Sequence, residues 1–235
     1  MRIDKYLSDL NLGTRKNIKA YIKNGTVTIN EVICKNSATQ INPTFDQITF
    51  HGKPLTYHKF YYYMLHKPKN IITASKDKRS ACVLDFFANE PVKNLFAVGR
   101  LDKDTEGLLL ITNDGDFSHR ITSPNHNLFK TYYAKLDGYI ENSAISLFEN
   151  GLEIGDKTKT KPAQLSIIEA TSNYSFVTIS ISEGRYHQIK RMFQSIHLNV
   201  TYLKRISIGS LQLDETLSIG NYRELTKAER EDIFK

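Results

Sequence analysis

One carboxylate, Asp102, stands in a sequence context that is unusual for an acid. It directly follows Leu101 and comes shortly before four large aliphatic residues, in the segment GRLDKDTEGLLLI at positions 99–111. Burying an ionised carboxylate costs free energy unless a partner compensates its charge. Strand periodicity would place Arg100 on the same face, as a candidate partner. The local pattern leaves two interpretations open: Asp102 is a turn residue between two strands, or it is a residue that carries out chemistry.

Other residue types that commonly form sites give weaker signals. The two cysteines, Cys34 and Cys82, are isolated and the seven histidines are scattered. We therefore expect two buried thiols rather than a disulfide, and no metal site. No apolar run approaches the roughly 20 residues that a membrane helix needs, and the N-terminus lacks the pattern of a signal peptide. These features predict a cytoplasmic protein without a membrane partner.

The positive charge of the chain is concentrated near its N-terminus. The formal net charge is +7 over 235 residues. Residues 1–59 contain nine Lys and Arg against four Asp and Glu, whereas the remainder contains 23 against 21. A compact basic module at one end indicates a polyanionic partner, most simply RNA or DNA, although an ordinary solvated basic face gives the same count.

The basic segment has the pattern of two helices followed by short strands. Apolar residues recur at helical spacing near the N-terminus, and Thr14 can cap a second helix that runs to about Asn24, with Gly25 after its end. The alternating segment TVTIN then predicts a strand, and Asn30 and Glu31 predict a turn. The polar faces of the second helix carry four basic residues, Arg15, Lys16, Lys19 and Lys23.

Strands mixed with short helices follow from residue 60 onward. Predicted strands include NLFAVG, LLLIT, KTYYAKL and SFVTISIS, and RYHQIKRMFQSIH has helical spacing. Thr226 and Glu229 have the spacing of a capping box at the start of a final helix. This order predicts an α+β fold with a mostly antiparallel sheet. We expect one domain at 1–55, a linker at 56–59 and a second domain at 60–235.

Five segments of the second domain resemble, in order, the motifs of the pseudouridine synthases. GRLD with the following Thr, Gly and TNDGD is similar to their active-site motif, and LHKPKNIITA to their Lys-Pro segment. FKTYYAKL, EGRYHQIKRMF and YLKRISIGSLQL are similar to the three segments that follow. The likeness is greatest to the RsuA-type branch, and residues 1–55 resemble the S4 RNA-binding module. The resemblance implies a small S4-like module followed by a mixed-sheet pseudouridine synthase catalytic domain.

The resemblance also implies a reaction and the residues that perform it. These enzymes break the N1–C1′ bond of a uridine, turn the uracil and rejoin it through C5, without a cofactor. Asp102 matches the nucleophile, Tyr132 the aromatic residue against the uracil, Lys190 the basic partner and Leu203 the apolar residue that closes over the base. Asn70 replaces a glycine that is usual in the Lys-Pro turn, and Asn tolerates a left-handed backbone. Further substrate-binding residues that the resemblance implies are Arg100, Arg185, His187, Gln188 and Lys67.

Taken alone, these residue types leave simpler interpretations open. Tyr132 and Leu203 also fit ordinary core positions of strands. Lys190 also fits a phosphate contact on a basic helix face, and His187 a helix cap or a solvent-facing residue. Lys67 would either bind phosphate or brace the loop that contains Asp102. Placing these side chains requires the fold.

The branch that the motifs resemble most acts on small-subunit ribosomal RNA. We therefore expect a uridine of 16S rRNA as substrate, and the resemblance implies position 516. A uridine of 23S rRNA is the alternative within this enzyme class, and a catalytically silent RNA-binding or ribosome-assembly protein is the alternative outside it. The expected partner is ribosomal RNA or an assembling small ribosomal subunit, bound by a monomer.

Overall fold

The computed structural model describes residues 1–90 and 92–235, which form two compact units. The first unit comprises Met1–Tyr61 and Asn89–Leu95, and the second comprises Tyr62–Ala88 and Phe96–Lys235. The expected domain boundaries and linker stay a prediction. The sequence pattern did not indicate that residues 89–95 group with the first unit. Among the described residues, no helix has both the length and the apolar character that a membrane crossing requires.

Two helices pack on a small sheet in the first unit. The sheet has the strand order β2-β1-β3-β4, and buried apolar residues of both helices share its core with Val27 and Ile48. The elements are α1 (Ile3–Asp9), α2 (Arg15–Lys23), β1 (Val27–Ile29), β2 (Val32–Ile33), β3 (Ile48–Phe50) and β4 (Lys53–Leu55).

The ends of helix α2 are fixed by the residues that the sequence indicated. The Thr14 side chain accepts a hydrogen bond from the amide of Asn17 at 3.3 Å, and Gly25 adopts a φ of +75° just beyond the helix. Ile18 and Ile22 are buried, whereas the four basic residues of this helix are all exposed. The predicted helix, its cap and its polar face are therefore confirmed.

The second unit is a single mixed sheet of nine strands with helices beside it. Its strand order is β13-β5-β7-β11-β8-β10-β9, with β12 paired to β11 and β6 paired to β7. All of its strand pairs in the described part of the chain are antiparallel except β7 with β11. The mostly antiparallel α+β fold is confirmed. The elements are β5 (Tyr62–Lys67), β6 (Phe96–Ala97), β7 (Glu106–Thr112), α3 (Gly115–Thr122), β8 (Lys130–Leu136), α4 (Ser143–Glu149), β9 (Gln164–Ala170), β10 (Ser175–Ile181), α5 (Gln188–Gln194), β11 (Val200–Ile208), β12 (Leu211–Gln212), β13 (Tyr222–Glu224) and α6 (Lys227–Asp232).

Two predicted elements are shorter than the sequence pattern indicated. The strand expected over NLFAVG covers only Phe96–Ala97, because Gly99 takes a φ of +70° that an extended strand cannot accommodate. Arg100 and Asp102 therefore do not share a strand face. The helix expected over residues 185–197 begins at Gln188 and ends at Gln194. The final helix does begin with the predicted capping box of Thr226 and Glu229.

Gly107 allows the one parallel strand pair to form. It lies opposite Arg205 where β7 meets β11, with a φ of +104°. A Cβ atom at this position would lie 2.2 Å from the carbonyl oxygen of Arg205 and 2.8 Å from its nitrogen. Both atoms belong to the backbone, so only a shift of a strand could relieve the clash. The sheet that carries the expected site residues depends on this close approach.

Replacing Gly107 with alanine should therefore destabilise the second unit. Backbone strain and overpacking together cost roughly 3 kcal/mol, which corresponds to a fall in melting temperature of about 6–12 °C for a unit of this size. Calorimetry measures this change. The matched control is Gly115→Ala, because nothing lies within 4 Å of a Cβ atom built at Gly115. Equal melting temperatures for the two variants would contradict the close approach.

Candidate active site

Asp102 lies in an irregular loop between the short strand β6 and strand β7. The preceding residue, Leu101, is buried, and Thr73 fixes its backbone on both sides. The Thr73 hydroxyl donates to the carbonyl of Leu101 at 2.6 Å and accepts from its amide at 3.1 Å. The amide of Thr105 donates to the carbonyl of Asp102 at 3.1 Å and closes a turn. One third of the Asp102 side chain remains accessible to solvent, 33% by area. A fixed backbone thus presents a carboxylate that a substrate can reach.

The ammonium group of Lys67 donates hydrogen bonds to the backbone of this loop. Lys67 is the last residue of β5 and is completely buried. Its Nζ donates to the carbonyls of Pro68 at 3.0 Å, Asp102 at 3.1 Å, Lys103 at 3.4 Å and Thr105 at 2.8 Å. A group enclosed in this way is not exposed to a phosphate. This placement fits the alternative of a loop brace better than direct substrate binding by Lys67, which stays a prediction.

Asn70 also donates a hydrogen bond to the same loop. It adopts the left-handed conformation with a φ of +65°, and its amide donates to the carbonyl of Lys103 at 2.8 Å. Asparagine tolerates this backbone better than most residues that have a side chain. The substitution of Asn for the usual glycine therefore preserves the turn, as the sequence predicted.

Two basic side chains from the N-terminal end of α5 flank the Asp102 carboxylate. His187 Nε2 lies 3.7 Å from one oxygen and Lys190 Nζ lies 3.7 Å from the other. Lys190 makes its hydrogen bonds to Asp104 instead, at 2.6 and 2.7 Å. Burial raises the pKa of Asp104, but the hydrogen bond and charge of Lys190 outweigh that effect and hold the pKa below its ordinary value. Lys190 therefore provides positive charge to two carboxylates, and no sequence pattern indicated that Asp104 takes part.

Tyr132 lies on β8 directly opposite Arg205 on β11. Both side chains are at least nine-tenths buried, and the guanidinium carbon lies 6.0 Å from the centre of the tyrosine ring. Leu203, two residues before Arg205, is also buried. Tyr133 stacks on Phe176, which agrees with its expected position on the opposite face. Tyr132, Arg205 and Leu203 therefore share one face of the sheet.

Arg205 is a buried cation that the sequence analysis did not identify. Its Nε donates to the carbonyl of Leu108 at 2.7 Å, and its Nη2 has no hydrogen-bond partner among the described residues. The signal was present, because an arginine occupies an inward position of an alternating strand. Buried donors without a partner are rare and costly. This nitrogen is therefore a group that a bound substrate or water can satisfy.

The side chains of Arg185 and Gln188, which were expected to contact RNA, both form hydrogen bonds within the protein. Arg185 donates to the carbonyls of Thr158 and Lys159 at 2.7 Å each and pairs with Glu183 at 3.2 Å. Gln188 is only 3% exposed, and its amide nitrogen donates to Glu183 at 3.0 Å. This burial does not favour a direct contact with RNA, and the assignment of Gln188 to substrate binding stays a prediction. Both residues fasten the start of α5 to a neighbouring loop.

Arg100 is the opposite case, because its side chain is exposed. It forms no hydrogen bond, ion pair or ring contact with the part of the chain that the structure describes. Its guanidinium group is therefore available for a ligand, two residues before Asp102 in the loop that Lys67 fixes. This placement is compatible with its expected role in substrate binding.

These arrangements can be compared with known proteins. A family model described as RNA pseudouridylate synthase matches residues 61–195, which include the Asp102 loop, Tyr132 and Lys190. A model of the S4 domain matches residues 1–48. The chain belongs to the RNA pseudouridine synthase family. It is consequently an isomerase with an S4 domain, as its sequence motifs predicted.

Individual relatives match along the whole chain and indicate the RsuA type of this family. The ribosomal small subunit pseudouridine synthase A of Vibrio cholerae is 40% identical over 236 residues and covers 100% of both chains. The enzyme of the same name from Escherichia coli strain K12 is 40% identical and covers 97% of this chain and 98% of its own. A crystal structure of a pseudouridylate synthase, 38% identical, superposes with a TM-score of 0.70 and covers 99% of both chains.

Replacing Lys67 with methionine should destabilise the loop and the second unit. Methionine keeps much of the apolar length but removes a donor from four carbonyls, of which those of Asp102 and Lys103 still accept from the amides of Thr105 and Asn70. A buried polar group without a partner costs about 1–3 kcal/mol. The control is Lys103→Met, at an exposed position in the same loop, which should change stability by less than about 0.5 kcal/mol. Chemical denaturation of both variants provides the comparison, and equal stabilities would refute the brace.

The pH dependence of the same variant tests the protonation of Lys67. Burial lowers the pKa of Lys67 to about 8 from its ordinary value of 10.5, although Asp104, Asp102 and Glu106 oppose the shift. Between these pH values the unfolded chain binds more protons than the native one, so Lys67 makes the free energy of unfolding rise with pH. Below pH 8 the contribution of Lys67 to the free energy of unfolding no longer changes with pH. The stability difference between wild type and Lys67→Met should therefore widen from pH 8 to 10.5, and a constant difference would contradict the lowered pKa.

Proposed function

We propose that this protein isomerises a uridine of 16S ribosomal RNA to pseudouridine, with Asp102 as the nucleophile. The observation that carries the proposal is the Asp102 carboxylate, accessible at 33% and flanked at 3.7 Å by both His187 and Lys190. The relatives named ribosomal small subunit pseudouridine synthase A support the class of substrate. Within that RNA, the family resemblance favours the uridine at position 516.

The reaction conserves the atoms of the substrate apart from proton exchange. The N1–C1′ bond breaks, a C5–C1′ bond forms, C5 loses a proton and N1 gains one. Attack by the carboxylate at uracil C6 and attack at ribose C1′ both satisfy this balance. Each route needs an ionised and positioned nucleophile. Lys190 provides positive charge beside that carboxylate, His187 lies at its other oxygen, and Lys67 fixes the backbone that carries it.

The remaining residues of the site have proposed roles in holding the base. A uridine stacked inside RNA must first be turned out of its stack, which costs a few kcal/mol. In this proposal the uracil packs against Tyr132, Leu203 closes over it, and the free guanidinium of Arg100 occupies the vacated space or holds a phosphate. Arg205 supports Tyr132 from the opposite strand.

The first unit provides an electrostatic contact with the RNA in this proposal. The basic residues Arg15, Lys16, Lys19 and Lys23 are exposed on α2, where the S4 model matches. Cationic side chains bind nucleic acid through phosphates and release counterions, which makes the affinity depend on salt. The partner is either protein-free 16S rRNA or an assembling small subunit, and activity assays on both distinguish the two.

Replacing Asp102 with asparagine should abolish pseudouridine formation and leave RNA affinity nearly intact. The amide has the same shape but is a far weaker nucleophile, and phosphate contacts dominate the affinity. Mapping of pseudouridine in 16S rRNA treated with each protein gives the readout. The control is Asp116→Asn, an exposed acid on α3 that removes the same charge. Comparable conversion by the Asp102 variant would refute its role, and conversion of 23S rRNA alone would refute the proposed substrate.

Replacing all four basic residues of α2 with serine should weaken RNA binding and reduce its salt dependence. Each lost phosphate contact should lower the slope of log affinity against log salt by about one unit. The rate at saturating RNA should change little, because none of the four contacts Asp102. A control with Lys76, Lys78 and Arg79 replaced removes exposed charge from the second unit. Slopes equal to that of wild type would show that α2 does not contact phosphates.

A further inference from the structure

An aromatic ring lies open to solvent beside the proposed active site. Tyr186 is 77% exposed, although a large aromatic side chain gains free energy when it is buried. Its ring stacks on the imidazole of His187, with centroids 3.9 Å apart and an angle of 16° between the planes. The same imidazole reaches Asp102 through its Nε2 at 3.7 Å. The second face of the tyrosine ring has no ring partner among the described residues.

The stack is held in place by its backbone. His187 adopts a φ of +46°, a left-handed conformation that costs a residue with a side chain about 1–2 kcal/mol. The carbonyl of Tyr186 accepts a hydrogen bond from Arg191 at 3.1 Å, and Arg191 is itself paired with Asp156 at 2.6 Å. A strained turn that neighbouring contacts fix in this way is typical of functional sites. The backbone that carries the exposed Tyr186 ring is therefore fixed before any ligand binds.

We propose that Tyr186 and His187 form a stacking platform for an unpaired RNA base adjacent to the target uridine. This inference rests on the proposed function and adds a second recognition point to it. The target uracil belongs at Tyr132, so the open face of Tyr186 receives a neighbouring nucleotide. Stacking of a base on an aromatic ring contributes about 1–3 kcal/mol and accepts any base. The platform holds the strand next to the turned-out uridine and so favours RNA that is unpaired there.

The surroundings of the platform suit RNA better than a protein partner. Lys157 and Lys159 are exposed on the loop whose Thr158 and Lys159 carbonyls bind Arg185. Neither lysine side chain has a hydrogen bond or ion pair with the described residues. Free cations on a loop that is hydrogen-bonded to Arg185, the residue before the platform, suit single-stranded nucleic acid, since the cations contact phosphates while the ring contacts a base.

Binding measurements on Tyr186 variants test the platform. Tyr186→Ala should raise the Kd of a 16S rRNA fragment roughly 5- to 150-fold, whereas Tyr186→Phe keeps the ring and should stay close to wild type. The control is Tyr139→Ala, which removes another exposed tyrosine, 56% accessible. Equal affinities for Tyr186→Ala and wild type would overturn the proposal.

A fluorescent base identifies the occupant and separates this inference from the reaction. Fragments carrying 2-aminopurine on either side of the uridine are bound to the Asp102→Asn variant, which prevents turnover. Stacking should quench the fluorescence at one of the two positions, and the additional Tyr186→Ala change should remove that quenching. An abasic nucleotide at the quenched position should make Tyr186→Ala harmless to affinity, and a full additional loss would overturn the platform. Absence of pseudouridine in fragments treated with wild type refutes the reaction independently of the quenching.

Discussion

The buried ammonium of Lys67 is the contact on which the proposed site depends. It sits at the end of strand β5 and binds the carbonyl oxygens of Pro68, Asp102, Lys103 and Thr105. Carbonyls that converge on one point repel each other and would separate without a hydrogen-bond donor between them. The loop can therefore be irregular and still have a single conformation. This explains how a residue outside any strand or helix presents its carboxylate in a fixed position, which a nucleophile requires.

Asp102 does not form an isolated ion pair, because the Lys190 ammonium near it also pairs with Asp104. Lys190 makes its short contacts to Asp104 and lies farther from Asp102, while His187 approaches from the other side. The hydrogen bonds to Asp104 order the Lys190 side chain and leave its positive charge near Asp102, the proposed nucleophile. Such an arrangement leaves the Asp102 oxygens free of strong hydrogen bonds. Strong hydrogen bonds would stabilise the carboxylate but would also have to break before it could attack.

Much of this molecule could be predicted from its sequence, and the failures have identifiable causes. Helix α2 was predictable because Thr14 and Gly25 are local signals, and the final helix because its capping box is local. The strand near residue 96 was overestimated because the conformation of Gly99 is determined by the loop packing and not by neighbours in sequence. Asp104 was missed for the same reason, since its partner Lys190 lies 86 residues away, whereas Arg205 was missed although its inward position on an alternating strand was a local signal. The motif resemblance did supply Asp102, Tyr132 and Lys190, and no local pattern indicates that Asp102 and Lys190 lie 3.7 Å apart.

The pairing of β7 with β11 has a consequence for how the protein is made. Strand β7 ends at Thr112, whereas β11 begins at Val200, so Asp102 acquires its surroundings only when most of the chain has been synthesised. Contacts over such long sequence separations form slowly, and chains fold from the N-terminus as they leave the ribosome. The helices of the first unit can therefore be complete while the catalytic sheet still lacks a strand in its middle. During synthesis the nascent chain acquires its basic helix face well before Asp102, the proposed nucleophile, acquires its surroundings.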